Sequence, residues 1–257
     1  MKSDRIRKIE EYIISNEVVS LDTLCEVFNI SKNTVRRDIN DLVEKGSIKK
    51  VYGGVTVNSD FKNSPNGLVS FEERNIRNNE AKISIGKAAA SFVQDNDIIF
   101  IDSGTTTLHM IEYLKDIKNV TILTNNINAI AAAIPFENLN IICLGGSLIR
   151  KTNSFEGIRN FEIFKDYNIN KAFMAATGIS LSSGATNSSP LEYKIKKNIV
   201  EKSKEVYLLA DDSKFNISAL MTYCKLSDID HLITNTEPPK EYLNYFNENN
   251  VKYTVSQ

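Results

Sequence analysis

Residues 31–57 read SKNTVRRDINDLVEKGSIKKVYGGVTV, and the fold of the front of the chain turns on this stretch. Ser31 is a residue type suited to an N-cap, and Val35, Ile39, Leu42 and Val43 fall on one side of a helix advancing about 100° per residue. Asn33, Arg37 and Asn40 then face the opposite side, with Thr34 and Arg36 flanking them. Amide, hydroxyl and guanidinium groups on the first turns of a helix are the donors that reach base edges and phosphates in a major groove. Ser31 and Lys32, at the start of the helix, join the same candidate set. Gly46 is placed to end the helix. Beyond it, Ile48–Val51 and Val55–Val57 are β-prone runs around Tyr52, Gly53 and Gly54, which predicts a hairpin. Lys49 and Lys50 would make that hairpin a basic wing along the phosphate backbone.

Upstream, Ile6, Ile9, Tyr12 and Ile13 recur at spacings of three and four, predicting a helix over residues 4–15. Val18 and Val19 interrupt it, and a second helix is expected from Leu21 to Phe28 with Leu24, Val27 and Phe28 inward. A lone amphipathic helix with exposed charges is ordinarily a solvated face. The ordered series of short helix, tight turn, capped helix rich in Arg and Asn, and glycine-punctuated basic hairpin is far more specific. Net charge adds little for the whole chain, at −1, yet residues 31–57 hold six basic against three acidic residues, and phosphate attraction depends on the local field. Ser31 to Asp38 (SKNTVRRD) followed by Gly53-Gly54 resembles the winged helix of the DeoR family of bacterial repressors. That resemblance implies a double-stranded DNA operator as partner. Lys50 departs from it, since members often carry Arg before the wing.

Residues 58–70 are rich in Asn, Ser, Pro and Gly, with Pro65 and Gly67 marking a break. The expected organisation is a winged helix-turn-helix domain at 1–57, a linker at 58–70 and an α/β domain at 71–257. Glu72–Val93 reads as one long helix with Ile76, Ile83, Ala90 and Phe92 inward. Apolar β-rich runs follow at Asp97–Asp102, Val120–Thr124, Ile141–Leu144, Lys171–Ala176, Val206–Ala210 and His231–Thr234. Helical patterns separate them near 107–115, 127–133, 157–165 and 190–203. This alternation predicts a mostly parallel, doubly wound sheet, whose ligands bind beyond the carboxyl ends of the strands.

Unusual residues cluster at those ends. The first strand runs into Asp102, Ser103, Gly104, Thr105, Thr106 and Thr107, where hydroxyls and backbone N–H groups suit a phosphate or carboxylate. Thr124, Asn125 and Asn126 follow the second strand, Gly145 and Gly146 the third, and Thr177 and Gly178 the fourth. Asp212, Ser213 and Lys214 follow the fifth, with Lys214 a countercharge for phosphate. Glu192, Lys194 and Lys196 on the next helix either reach this crevice or ride a solvated face. The series resembles the C-terminal sensor domain of the same family, which is similar to ribose-5-phosphate isomerase and the wider group of sugar-phosphate isomerases and CoA transferases. The resemblance implies a phosphorylated sugar or related intermediate as effector.

A sugar-phosphate isomerase fused to a helix-turn-helix is the alternative. Isomerisation through an enediol needs a carboxylate over the substrate carbons, and the isomerase group carries acids after the fourth strand. Here that stretch reads Ala175, Ala176, Thr177, Gly178, Ile179, Ser180, so no catalytic residue is assigned, although Asp102 and Glu192 remain candidate bases. His109 is expected to be a partly exposed helical histidine and His231 to begin a buried strand. Cys25, Cys143 and Cys224 lack metal or disulfide spacing and are expected to be buried free thiols, and neither metal nor cofactor is expected. With 257 residues, 42% hydrophobic, and no apolar run of membrane-spanning length, the chain is expected to be a cytoplasmic two-domain protein. A homo-oligomer, dimer or tetramer, is expected because one recognition helix offers little contact alone.

Overall fold

The computed structural model describes residues 2–16, 18–44, 48–51, 53–57, 70–157 and 166–257. The expected helix C-terminus at Gly46, the hairpin residue Tyr52, nearly all of the linker and nearly all of the helix at 157–165 lie outside them. The chain divides into two units, Met1–Arg77 and Asn78–Gln257.

In the first unit, α1 (Lys2–Asn16), α2 (Leu21–Phe28) and α3 (Lys32–Glu44) pack on a three-stranded antiparallel sheet of β1 (Val18–Ser20), β2 (Ile48–Val51) and β3 (Gly54–Val57), in the order β1-β3-β2. Val18 and Val19 are therefore more than an interruption. As a β-branched pair they add a strand, with Val19 opposite Val55. Gly54 permits this approach, since a Cβ there would lie 2.3 Å from the Val19 carbonyl oxygen. Ser20 caps α2 by accepting from Thr23 N–H at 3.0 Å, and Asn29 ends it in the left-handed region at φ 49°. Ile9, Ile13, Leu24, Val35, Ile39 and Leu42 close the core with Val19, Ile48 and Val55. Val27, expected inward, is 50% exposed, because it stands about 100° round α2 from Phe28. A short helix, α4 (Phe71–Ile76), completes this unit.

The expected single helix Glu72–Val93 is two helices. Arg77 is extended and Asn78 adopts φ 52°, a left-handed conformation that Asn tolerates better than most residues, so a new helix, α5, starts at Asn79 and runs to Ala90. In the second unit seven parallel strands form one sheet: β4 (Ile98–Ile101), β5 (Val120–Thr124), β6 (Leu139–Cys143), β9 (Lys171–Ala175), β12 (Glu205–Leu209), β14 (His231–Thr234) and β15 (Lys252–Val255). The first six are the strands expected from sequence. β15 is an edge strand of mixed polarity, Lys-Tyr-Thr-Val, without the apolar run that marks a strand buried on both faces.

The order across the sheet is β15-β14-β12-β9-β4-β5-β6, which numbered along the chain is 7-6-5-4-1-2-3. Residues alternate between its faces. Phe100, Ala172, Met174, Leu208 and Leu232 pack with Ile195 and Ile199 of α8 (Pro190–Lys202) and with Tyr242 and Phe246 of α9 (Lys240–Asn249). Ile99, Ile101, Phe173, Tyr207 and Ile233 pack with Ile85 and Ala89 of α5 and with Ala129 and Ala133 of α7 (Ile127–Ala133). Between β4 and β5 stand a single-turn α6 (Thr105–Leu108) and a 3-10 turn at Ile111–Leu114, in place of the continuous helix expected over 107–115. Two small antiparallel features escape sequence reading: a hairpin of β7 (Ser147–Ile149) and β8 (Ser154–Glu156), and a sheet of β10 (Gly178–Ser180), β11 (Gly184–Asn187) and β13 (Met221–Cys224).

Of the three thiols expected to be buried, only Cys224 is. Cys143 is exposed, because it ends β6 on the open edge of the sheet, and Cys25 is intermediate. Among the described residues no helix is long and apolar enough to cross a membrane.

Candidate functional site

On α3 the buried side is Val35, Asp38, Ile39 and Leu42, and the opposite side exposes Lys32, Asn33, Arg36, Arg37 and Asn40. Asp38 anchors this arrangement: it accepts from Arg5 Nε at 2.7 Å and from the second guanidinium nitrogen at 3.1 Å, so a forked ion pair fixes α3 to α1. The Arg5 guanidinium is held above its ordinary value chiefly by that hydrogen bond. Ser31 caps α3 by accepting from Thr34 N–H at 3.3 Å, and the two hydroxyls meet at 2.9 Å. Lys32 pairs with Asp22 at 2.6 Å on the surface. Lys49 and Lys50 are exposed on β2, and Lys50 Nζ donates to Asn40 Oδ1 at 2.7 Å, joining wing and helix. The residues read from sequence as contacting DNA are thus gathered on helix and wing, with Thr34 half-buried.

In the second unit the strand order reverses between β4 and β9, the place where adjacent connections leave on opposite faces and a crevice opens. Asp102 follows β4 there, buried, and its carboxylate is held by three donors. It accepts from Ser103 N–H at 2.8 Å, from Ala175 N–H at 2.8 Å, and from the Lys196 ammonium, which also donates to the Ala175 carbonyl at 2.9 Å. Gly104 lies against the same strand end, where a Cβ would come within 2.3 Å of the Ala175 Cβ.

Several of the expected ligand groups instead hold the loop. Thr107 Oγ1 donates to the Asp102 carbonyl (2.8 Å) and is within 3.0 Å of the Gly104 carbonyl, and Thr124 Oγ1 donates to the Ile101 carbonyl at 2.7 Å. Asn126 caps α7 through Oδ1, at 2.9 Å from Asn128 N–H, and turns its amide nitrogen to the carbonyls of Asp102 and Gly104. Thr105 and Thr106 are buried with no side-chain hydrogen bond among the described residues, and Ser103 Oγ makes only a 3.3 Å bond to Glu192. Gly145, Gly146 and Thr177 are exposed, whereas Gly178 is buried at the start of β10. Lys214 is half-buried beside Asp211. Burial works to raise the Asp211 carboxyl, but Lys214, Ser213 and Asn78 hold it below its ordinary value.

Glu192 and Lys196 both point inward from α8, one helical turn apart, while Lys194 is exposed. Two further residues escape sequence reading, Glu156 and Asn187. Glu156 ends β8 and is 3% exposed, and neither of its carboxylate oxygens has a hydrogen-bond partner among the described residues. Burial first, and the Glu192 carboxylate second, push its carboxyl up to about 7, with the Ser189 hydroxyl opposing them. Asn187 donates to the Ser189 carbonyl at 2.7 Å and to Glu192 at 3.5 Å, and Asn125 donates to the Phe155 carbonyl at 3.2 Å. The amide oxygens of both are buried and unpartnered. An unmade hydrogen bond at a buried polar atom costs about 1–3 kcal/mol, so these atoms are held in place by the rest of the fold.

No pattern marks Glu156, which sits on the three-residue strand β8, too short for its alternation of buried and half-buried residues to stand out. Ala175–Ser180 indeed holds no acid, yet β8 and α8 bring carboxylates to the same crevice from elsewhere. His109 is half-buried, and burial followed by Lys82 lowers it to about 4, while His231 begins β14 with burial lowering its imidazole as well. A separate groove of about 530 Å³ along α8 and β13, lined in part by Tyr193, Lys197, Tyr223 and Lys225, includes none of the strand-end residues singled out from sequence.

Comparison with known proteins identifies the family. The HTH-type transcriptional regulator IolR of Bacillus subtilis (strain 168) is 51% identical over 251 residues, 98% of each chain. The glycerol-3-phosphate regulon repressor of Escherichia coli (strain K12) is 26% identical over 251 residues, again 98% of each chain. Among solved structures, a D-ribose-5-phosphate isomerase in complex with phospho-erythronic acid superposes with a TM-score of 0.41 at 17% identity, covering 53% of this chain and 54% of that one. The sequence profile of the DeoR-like helix-turn-helix domain matches residues 5–61, and that of the DeoR C terminal sensor domain matches residues 77–236. Winged helix in front, switch-point crevice behind and relatives matched from end to end agree: the chain belongs to the DeoR family.

Proposed function

We propose that this protein is a transcriptional repressor of sugar or carbohydrate metabolism genes, binding double-stranded operator DNA through α3 and the β2–β3 wing and controlled by a phosphorylated sugar or related intermediate in the β4–β9 crevice. The observation that carries the DNA half is the outward face of α3, where Arg36, Arg37 and Asn40 stand free of the core with Lys50 clasped to Asn40. Guanidinium and amide groups there read bases, and the wing lysines neutralise phosphates. The named regulators among the relatives, one of them the repressor of a glycerol-3-phosphate regulon, support the regulatory half.

For the effector, support comes from buried polar groups at the reversal of strand order. Ser103, Thr105 and Thr106 supply hydroxyls for an anion, with Lys214 as countercharge, while Asp102, Thr107, Thr124 and Asn126 shape the loop that presents them. Binding that favours one arrangement of a homo-oligomer, dimer or tetramer, by 1–3 kcal/mol changes operator affinity roughly 5- to 150-fold.

Selection from a random duplex pool, followed by anisotropy titration of the winning sequence, tests the DNA half. Arg36→Ala and Arg37→Ala are each expected to weaken binding and, for a phosphate contact, to reduce the salt slope by about 1. Unchanged affinity at fixed salt would count against this docking. Thr105→Ala and Lys214→Ala are expected to remove the response to sugar phosphates with operator binding retained. The competing reading, a sugar-phosphate isomerase, draws on the carboxyl of Glu156 near neutrality; efficient conversion of ribose 5-phosphate by the purified protein would establish it, and none is expected.

A further inference from the structure

The crevice is lopsided in its hydrogen-bonding chemistry. Around Glu156 the buried polar atoms without a hydrogen bond among the described residues are acceptors: both carboxylate oxygens of Glu156, which the Ser189 hydroxyl influences from nearby, and the amide oxygens of Asn125 and Asn187; Asn128 Nδ2, on the first turn of α7, is an unpartnered donor close by in sequence. The amide orientations are set by their surroundings. Asn187 turns its nitrogen to the Ser189 carbonyl and the Glu192 carboxylate, and Asn125 turns its nitrogen to the Phe155 carbonyl, so a flipped amide would set oxygen against oxygen in each case. The nearby cation is turned away from these acceptors, because Lys196 commits two of its three N–H groups to Asp102 and to the Ala175 carbonyl and lies over the Tyr223 ring. Glu192 ties the group together, receiving Ser103 at 3.3 Å and Asn187 at 3.5 Å while its charge acts on Glu156.

We propose that this acceptor-lined end, formed by Glu156, Asn125 and Asn187, reads the hydroxyl groups of a polyhydroxylated effector, with Glu156 the residue that decides specificity. The inference rests on the phosphorylated-sugar reading above and extends it: the anionic group of the ligand lies toward Ser103, Thr105 and Thr106, and its hydroxylated carbons lie toward Glu156. A second phosphate or a carboxylate at the inner end would face these acceptors. Hydroxyls meet them with donors, and because the acceptors come from three separate elements, more than one hydroxyl is engaged. With its carboxyl pushed up to about 7, Glu156 is divided between its protonated and ionised forms at neutral pH, so it can donate to a ring or carbonyl oxygen in the first and accept from hydroxyls in the second.

The test compares wild type, E156Q and E156L by thermal shift and calorimetric titration against D-ribose 5-phosphate, 2-deoxy-D-ribose 5-phosphate, D-glucose 6-phosphate, 2-deoxy-D-glucose 6-phosphate, D-glucosamine 6-phosphate and inorganic phosphate. Wild type is expected to bind at least one hydroxylated sugar phosphate roughly 10- to 100-fold more tightly than its deoxy counterpart, the worth of a hydrogen bond to a charged group. E156L is expected to lose that preference while keeping its response to inorganic phosphate, and E156Q, which retains one acceptor oxygen, to keep part of it. A cooperative melt checks that each variant folds, and if E156L melts without cooperativity the comparison is carried by E156Q. Equal discrimination in wild type and variants overturns the proposal, as does a preference for the amino sugar that exceeds the hydroxylated one and disappears in E156Q. If no phosphate, inorganic phosphate included, shifts wild type, the phosphorylated-sugar reading itself fails; a phosphate response without hydroxyl discrimination sinks this inference alone.

Discussion

At Glu156 a carboxyl is buried beside a second carboxylate, and the proton it retains has a consequence for stability. Its folded value of about 7 lies above the ordinary 4.5, so between those limits the folded chain binds a proton that the unfolded chain has released. The contribution of this group to stability is therefore complete below about pH 4.5 and is lost as pH rises through about 7. In the absence of ligand, Glu156→Gln is expected to melt a few degrees above wild type at pH 8, with the difference shrinking toward pH 4; identical melting curves across that range would show that Glu156 carries no strain. This residue also marks the limit of sequence reading. Asp102, Thr107 and Asn126 were recognisable as unusual residues at strand ends, but one-dimensional reading treats every hydroxyl and carboxyl as available. Folding commits Thr107 and Asn126 to backbone partners and Asp102 to two backbone N–H groups and the Lys196 ammonium, and leaves capacity to spare at Glu156 and Asn187, which the sequence did not mark by any pattern, as well as at Asn125, Thr105 and Thr106.

Among elements, those with a strong period were read with close boundaries, and those shaped by one residue's backbone were not. The helix at 21–28 and the parallel strands follow from apolar spacing and β-branched runs. The break between α4 and α5 depends on the left-handed turn at Asn78, and β1 depends on Gly54 letting Val19 approach, neither of which alters the apolar pattern. Gly54→Ala is thus expected to push β1 off the wing sheet, at the roughly 1–3 kcal/mol of an overpacked site, weakening operator binding while calorimetric binding of sugar phosphates is unchanged. Gly104→Ala strikes the other unit: its Cβ would collide with Ala175, so the loop from Ser103 to Thr106 must shift. Loss of the ligand-induced thermal shift with retained operator binding is the expected result, and a normal shift would mean that this loop does not hold the anion.

On the scale of the whole chain, two cores without shared members serve the two units, one built on Ile9, Leu24 and Ile39 and the other on both faces of the seven-stranded sheet. Scanning calorimetry is expected to resolve two transitions, of which sugar phosphates raise only one; a single transition shifted as a block by ligand would refute this independence. The doubly wound architecture was readable because strand and helix patterns alternate, whereas the edge strand β15 and the small antiparallel sheet were not, since neither Lys-Tyr-Thr-Val nor the three- and four-residue strands β10, β11 and β13 form the apolar run that marks a strand buried on both faces. The reversal at β4 and β9 also orders events during synthesis. Ile101 lies level with Phe173 in the sheet, so the central seam waits for residues made much later, while the winged helix closes on contacts within its first 57 residues. Nascent chains halted before Lys171 leaves the ribosome should accordingly present a protease-resistant reader of DNA ahead of a sensor still open to digestion.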